Sequence, residues 1–495
     1  MPDTVDALIR PQADRYGDKP FVIDPTDRLT YAELDSVTGA LAGGLVSAGI
    51  GKGSRVGLIM GNSVRWVQLA LAVTRVGAVL VPLSTLLTAR ELVAQLHVAS
   101  VQYLIAVEEF RGHRYLDDVT PHRAALPALR RVWGADELPA GSSPIAGLAD
   151  TVVPADPMVV MFTSGSSGPP KGVIHSHGNA VAAVRSGLAA RCIDDSTRLY
   201  LPMPFFWVGG FGSGILSALI AGATLVTEEI PEPEATLRLL EREKVTLFRG
   251  WPDQAEALAR RCADVRADLS ALRPGSLDAL LPAEQRAAPG ARARLFGMTE
   301  SFGPYCGYPA DTDMPHSAWG SCGKPFDGMD VRIVDVDSGE ALPTGAIGMI
   351  QIRGPHTLRG MCRRGREELF TADSFYPTGD LGHLDTDGFL FYHGRSDDMF
   401  KVSGATVYPS EVEAALREIA GVRAAFVTDV EGRVGAAVIC DGRTPDALRG
   451  EARAKLSSFK VPSVWLLLDS DDDVPRGTTG KVDIRRLREL LGGQA

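Results

Sequence analysis

Met161-Phe-Thr-Ser-Gly-Ser-Ser-Gly-Pro-Pro-Lys-Gly-Val173 sets Thr163, Ser164, Ser166 and Ser167 around Gly165 and Gly168, then adds Lys171 and Gly172. Glycine lets a backbone turn tightly and approach a ligand closely. Hydroxyls and exposed amides donate hydrogen bonds to phosphate oxygens, and the lysine adds a point charge. The apolar run Met158 to Phe162 leads in and reads as a buried strand. A phosphate cradle at a strand end is therefore expected. It is not a Walker loop, which needs Gly-x-x-x-x-Gly-Lys-Ser/Thr. Counting from Gly165, the second glycine would fall at Pro170, and Gly172 follows the lysine where Ser or Thr should stand. A Ser/Gly linker is the alternative. The strand-like lead-in and the closing Lys-Gly-Val disfavour it.

Upstream, strand and helix signals alternate. Arg28–Thr30 is a short strand, and Thr30-x-x-Glu33 is a capping box followed by Leu34, Val37, Leu41 and Leu45 on one helical face, with Gly49 suited to the stop. Val56–Met60, Val79–Val81 and Tyr103–Val107 read as strands, Ser63 can cap a helix, and Thr88-x-x-Glu91 is a second capping box. This alternation implies a mainly parallel α/β sheet. Residues 327–400 change character: short strands at Val331–Asp335, Gly348–Arg353 and Gly388–His393 suggest a β-rich subdomain or small barrel. After the polar stretch Gly394-Arg-Ser-Asp-Asp398, Ser410-x-x-Glu413 is expected to cap a helix. Strands at Ala424–Thr428, Gly435–Cys440 and Val464–Leu468 complete a self-contained α+β unit.

With 495 residues, 45% hydrophobic and 23% charged, the chain can bury large cores in two or three domains. A net charge of −10 without a basic stripe disfavours a nucleic-acid partner. The cysteines Cys192, Cys262, Cys306, Cys322, Cys362 and Cys440 lack paired metal spacing, as in a cytosolic protein with reduced thiols. The N-terminal Met-Pro-Asp-Thr-Val-Asp carries no signal-peptide pattern, so a cytoplasmic protein is expected. The uncharged run Leu199–Thr227 is long enough to span a bilayer. Its prolines, glycines and hydroxyls fit a buried strand, a loop and a core helix better, so no transmembrane segment is expected.

Six further segments bear on chemistry. Phe296-Gly-Met-Thr-Glu300 offers an aromatic face beside Gly297, a hydroxyl and a carboxylate able to hold Mg²⁺. Asp380 in Thr378-Gly-Asp-Leu-Gly382 can accept two ribose hydroxyls, although an ordinary Asx turn competes. Arg395 can reach ribose or phosphate, Asp397 can serve as a hinge, and Lys401 and Gly404 follow. Lys481, in Pro475-Arg-Gly-Thr-Thr-Gly-Lys-Val482, can swing into a site or belong to a loose tail. Phe206, Trp207, Val208, Gly209 and Phe211 can shape a substrate slot or form a buried aromatic cluster. His175-x-His177 lacks a third ligand at suitable spacing, and packing or capping is the preferred reading.

In this order and spacing, the motifs near 165, 298, 379, 395 and 481 resemble the adenylate-forming superfamily, in its acyl-CoA synthetase branch, over nearly the whole chain. The resemblance implies an α/β protein. Its large N-terminal domain (1–393) would hold two α/β lobes plus a distorted β-barrel, joined by a hinge (394–398) to a small mobile α+β C-terminal domain (399–495). It implies that a carboxylic acid first takes AMP from ATP with Mg²⁺, and that coenzyme A then takes the acyl group. By the same resemblance, Thr163, Ser164, Gly165, Ser166, Ser167, Gly168 and Lys171 hold the β- and γ-phosphates. Thr299 meets the α-phosphate and Glu300 binds Mg²⁺. Phe296 and Gly297 line adenine, and Asp380 and Arg395 grip ribose. Lys481 bridges carboxylate and phosphate, Asp397 is the pivot, and Lys401 and Gly404 border the CoA tunnel.

The chain also departs from that pattern. Leu272–Pro282 stands where relatives carry a Gly-Gly-Ala-Pro-like loop. Phe296 replaces a customary Tyr, and Trp207 occupies the region of a gating His. The segment Phe206-Trp-Val-Gly209 has no Asp to pair with a substrate ammonium group. An apolar or aromatic acid, fatty or aryl, is therefore expected. A ligase delivering to an acyl carrier protein and a non-catalytic nucleotide sensor are the alternatives. A homodimer is left open.

Overall fold

The computed structural model describes residues 3–139, 144–163, 170–396, 398–402, 405–476 and 482–493. Contacts divide the chain into two compact units, one of Met1–Asp330 with Arg353–Tyr376 and one of Val331–Ile352 with Pro377–Ala495.

The first unit is built on two sheets. A seven-stranded sheet runs in the order Gly360–Met361, Lys171–Ser176, Pro157–Thr163, Val79–Pro82, Arg55–Ile59, Tyr103–Ala106 and Arg131–Gly134. Its last five strands are mutually parallel. A five-stranded sheet runs Leu247–Phe248, Arg198–Tyr200, Thr224–Val226, Pro20–Ile23 and Arg28–Thr30, parallel except at its final pair. Side chains alternate across each strand. Val56, Leu58, Leu80, Tyr103 and Ile105 of the first sheet share one apolar cluster with Val22, Leu199, Leu225 and Leu247 of the second. Their neighbours Val79, Val81, Leu104 and Ala106 face a separate cluster, and Ile23, Tyr200, Val226 and Phe248 face a third. Apolar residues on both faces are what a covered parallel sheet requires.

The local signals read from sequence form as expected in several places. Thr30 and Glu33 cap Tyr31–Ser47 reciprocally, Thr88 and Glu91 cap Ala89–Val98, and Ser63 caps Val64–Arg75. Gly49 takes φ +88° just past its helix. The uncharged run becomes the strand Arg198–Tyr200, a loop, a helix and the strand Thr224–Val226. Among the described residues no helix is long and apolar enough to cross a membrane. That helix comprises Val208–Gly210, a π-helical segment Phe211–Leu216, and Ser217–Ala221.

The second unit holds a four-stranded sheet ordered Asp330–Val334, Gly348–Arg353, Tyr376–Leu384 and Leu390–Arg395, whose first and third strands begin, and whose second ends, on residues of the first unit. No closed ring of strands occurs among the described residues. Further on, Val422–Val430, Arg433–Cys440 and Val464–Leu468 form a three-stranded sheet. One face packs Val412 and Leu416 of the helix Pro409–Arg417, and the other packs Leu487 and Leu491 of Ile484–Gly492. The expected Ser410 cap does not form: Pro409 occupies the first turn, where its fixed φ suits a helix start, and no side chain caps the end. Glu413 instead accepts from the Val427 backbone N–H at 3.0 Å.

Candidate active site

The strands flanking the Ser/Gly segment pair antiparallel, with half-buried Thr163 opposite exposed Lys171. Period-2 alternation then carries Val173 and His175 into the interior. Against the strand Pro157–Thr163 packs the short turn Thr299–Ser301. Ser301 Oγ accepts from Met298 N at 3.1 Å and fixes how the turn begins. Phe302 ends it at φ +50°, an uncommon conformation for a bulky residue.

The first two carbonyls of this turn are held from outside. His175 Nε2 lies 2.8 Å from the Thr299 carbonyl oxygen, and Leu358 N donates to the Glu300 carbonyl at 2.8 Å. Glu300 is buried, and Tyr376 donates its hydroxyl to the carboxylate at 3.4 Å. The Thr299 hydroxyl and Glu300 carboxylate are hard oxygen donors, the kind Mg²⁺ takes. Burial pushes the His175 imidazole down to about 4, against its hydrogen bonds to Thr299 and Asn179, so the ring is neutral.

An aromatic chain braces the turn. Phe302 meets His175 edge-on at 4.9 Å and Phe211 at 6.3 Å, Phe211 meets Trp66 at 5.9 Å, and Trp66 meets Phe205 at 5.3 Å. Phe211, expected in an acyl slot, is fully buried in this chain. Phe206 and Val208 are buried, whereas Trp207 and Gly209 are half-buried. Trp207 lies edge-on to Phe206 at 5.7 Å and to partly exposed Trp251 at 6.3 Å. Phe296 packs on Tyr305 at 5.6 Å. Gly297 has a packing cause of its own: a Cβ there would lie 2.0 Å from the Gly303 carbonyl oxygen.

In the second unit, Asp380 and Arg395 are register partners. Arg395 Nη1 donates to Asp380 Oδ1 at 3.3 Å and to the Thr378 carbonyl at 2.9 Å. Thr378 Oγ1 accepts from Asp380 N at 3.0 Å, which fixes the backbone that carries the carboxylate. Lys401 lies in the strand Phe400–Val402. Ser164, Gly165, Ser166, Ser167, Gly168, Asp397, Gly404 and Lys481 lie outside the described residues.

The contacts of His175, Asn179, Tyr376, Leu358 and Trp251 carry no signal in the local sequence. The His-x-His pattern marked two interior positions of different use: His177 Nδ1 accepts from Val5 N at 3.3 Å, while His175 reaches Thr299 across 124 positions. Leu272–Pro282 runs irregularly beside the Leu247–Phe248 edge. Leu277 N donates to the Phe248 carbonyl, and Phe248 N donates to Ser276 Oγ.

The scaffold is a largely parallel sheet with an oxygen-rich turn packed on the strand Pro157–Thr163, and the chain belongs to the AMP-binding enzyme family, whose sequence pattern matches residues 9–361. It is 32% identical over 527 residues to the 3-[(3aS,4S,7aS)-7a-methyl-1,5-dioxo-octahydro-1H-inden-4-yl]propanoyl:CoA ligase of Mycobacterium tuberculosis, covering 99% of this chain and 98% of the relative. It is 32% identical over 485 residues to a feruloyl-CoA synthase of an Amycolatopsis species, covering 94% of each. Among solved structures, ATP-bound MatB from Rhodopseudomonas palustris superposes with a TM-score of 0.82 at 26% identity, covering 99% of each chain.

Proposed function

We propose that this protein is an AMP-forming acid–thiol ligase that activates an apolar or aryl carboxylic acid with ATP and transfers the acyl group to coenzyme A. The Thr299–Glu300 turn carries the reading: a half-buried hydroxyl and a buried carboxylate, anchored at both residues' carbonyls, beside the strand that leads into the Ser/Gly segment. The two relatives above are named as CoA ligases or synthases of ring-containing acids, which supports both the acceptor and an aryl or alicyclic substrate.

A carboxylate is a poor electrophile, and its charge is repelled by triphosphate, so positive charge and aligned donors must meet the developing charge. Thr163, Lys171 and the intervening Ser164–Gly168 hold the β- and γ-phosphates in this reading. Thr299 donates to the α-phosphate, and Asp380 with Arg395 fixes the ribose. Glu300 would hold Mg²⁺, which when bound neutralises phosphate charge. The substrate carboxylate oxygen attacks the α-phosphorus and pyrophosphate leaves. Lys481 draws carboxylate and phosphate together. A thiolate then attacks the acyl carbonyl and AMP departs. Residues 394–398, with Asp397 as pivot, are the hinge between 1–393 and 399–495, and Lys401 and Gly404 border the thiol's approach. Phe206, Trp207, Val208 and Gly209 shape the acyl pocket, and Phe211 supports it from the core.

Acid-dependent exchange of labelled pyrophosphate into ATP, over a panel of fatty, aryl and alicyclic acids, tests the first step. Thioester formation on adding CoA tests the second. Exchange without thioester would move the acceptor to a carrier protein. No exchange with any acid would leave a nucleotide-binding homologue without ligase activity.

A further inference from the structure

His175 lies on the strand Lys171–Ser176, fully buried, with both ring nitrogens engaged. Asn179 decides which nitrogen carries the proton. Its Oδ1 accepts from Ser176 N at 2.6 Å and from Ser176 Oγ at 3.2 Å. Its Nδ2 therefore faces the ring, donating to His175 Nδ1 at 2.7 Å and to the His356 carbonyl at 3.3 Å. With Nδ1 an acceptor, the hydrogen of the neutral ring sits on Nε2 and is donated to the Thr299 carbonyl at 2.8 Å. The opposite tautomer would set two lone pairs against each other at that carbonyl and two N–H groups against each other at Asn179.

We propose that His175, with its tautomer fixed by Asn179, is a positioning residue that locks the Thr299–Glu300 turn for the adenylation step; this rests on the functional reading above. Both ring nitrogens are spent on the Thr299 carbonyl and on Asn179, so the ring acts through the turn. Its N–H pins the Thr299 carbonyl next to the Glu300 carbonyl that Leu358 holds, and the ring meets Phe302, the left-handed residue that closes the turn. Losing one anchor leaves the turn attached but free to rotate. A misplacement on the order of 1 Å near reacting groups costs about a hundredfold in rate.

His175→Leu keeps apolar bulk and removes both hydrogen bonds. His175→Gln restores a donor and an acceptor without a titrating ring. For the most active acid in the panel, His175→Leu is expected to lower the exchange kcat about tenfold to a hundredfold and to raise the Mg²⁺ needed for half-maximal rate, with the KM for the acid within about twofold of the parent. His175→Gln is expected to recover to within about fivefold. The parent ring supplies a readout free of folding loss: long-range ¹H–¹⁵N NMR at pH 7.5, assigned by the resonance lost in His175→Gln, should show the hydrogen on Nε2 and none on Nδ1. Parent-like kcat and Mg²⁺ demand in His175→Leu would overturn the proposal alone. So would a ring protonated on Nδ1, or His175→Gln as impaired as His175→Leu at equal melting temperature. A parent chain inactive with every acid would overturn the functional reading, and this proposal with it.

Discussion

Arg395 stands opposite Asp380 across an antiparallel strand pair, and the residue before Asp380, Gly379, is glycine because that guanidinium lies over it. Gly379 has φ +75°, and a Cβ there would lie 2.7 Å from Arg395 Nη2. The Thr-Gly-Asp motif thus combines a left-handed turn with room for its arginine partner. Gly379→Ala should destabilise the protein by about 1–3 kcal/mol and displace Arg395. Urea unfolding checks this, and an unchanged midpoint would contradict it.

Asp380→Ala removes the carboxylate assigned to the ribose. A charged hydrogen bond contributes about 1.5–3 kcal/mol, so the KM for ATP should rise by about tenfold to a hundredfold, with the KM for the acid nearly unchanged. Pyrophosphate exchange at varied ATP and varied acid separates the two. A rise confined to the acid KM would remove Asp380 from the nucleotide site.

Three fully buried imidazoles predict acid lability. Burial pushes His175, His177 and His356 down to about 4 from 6.5. Among the described residues His356 Nδ1 is buried without a hydrogen-bond partner, and His177 Nδ1 accepts from Val5 N, so protonation would strand a charged N–H at the first and set two N–H groups against each other at the second. The unfolded chain binds a proton on each ring near pH 6.5, and the folded chain does not until about pH 4. The unfolded state therefore holds more protons within that window. Stability is complete above it and falls as pH drops, by up to about 4 kcal/mol per pH unit for the three together. Urea midpoints at pH 7.5 and 5.0 should differ accordingly, and His177→Gln should flatten the slope by about a third. Equal midpoints would show that these rings are not held neutral.

Trp207→Ala opens the edge-on contacts with Phe206 and Trp251. Aromatic pairs contribute about 0.5–1.5 kcal/mol beyond area burial, so kcat/KM for aryl acids should fall about tenfold, while bulkier alicyclic acids gain relative to them. The KM for ATP should hold. An unchanged ranking of acids would take Trp207 out of the acyl pocket.

What was legible in the sequence is local. Thr30 with Glu33, and Thr88 with Glu91, close their capping boxes within one turn, so three-residue spacing suffices to see them. The strand into the Ser/Gly segment shows as an uninterrupted apolar run because both of its faces are covered. Ser410 and Glu413 carry the same capping spacing and fail, since the helix already starts at Pro409 and takes Ser410 into its first turn. Thr299 and Glu300 stand out in the sequence by type and order, yet nothing in their neighbourhood announces His175 or Tyr376, which arrive from 124 and 76 positions away. Phe211 reads as well for a ligand slot as for a core. The structure buries it fully, which period and composition alone do not reveal.

The central claim is that the acid's own oxygen attacks the α-phosphorus of ATP. Acid labelled with ¹⁸O in its carboxylate, turned over with ATP and CoA, tests it through mass spectrometry of the nucleotide and phosphate products. One labelled oxygen should leave in AMP with each thioester formed, and pyrophosphate should carry none. Label in orthophosphate beside ADP, or AMP released without label, would contradict the account.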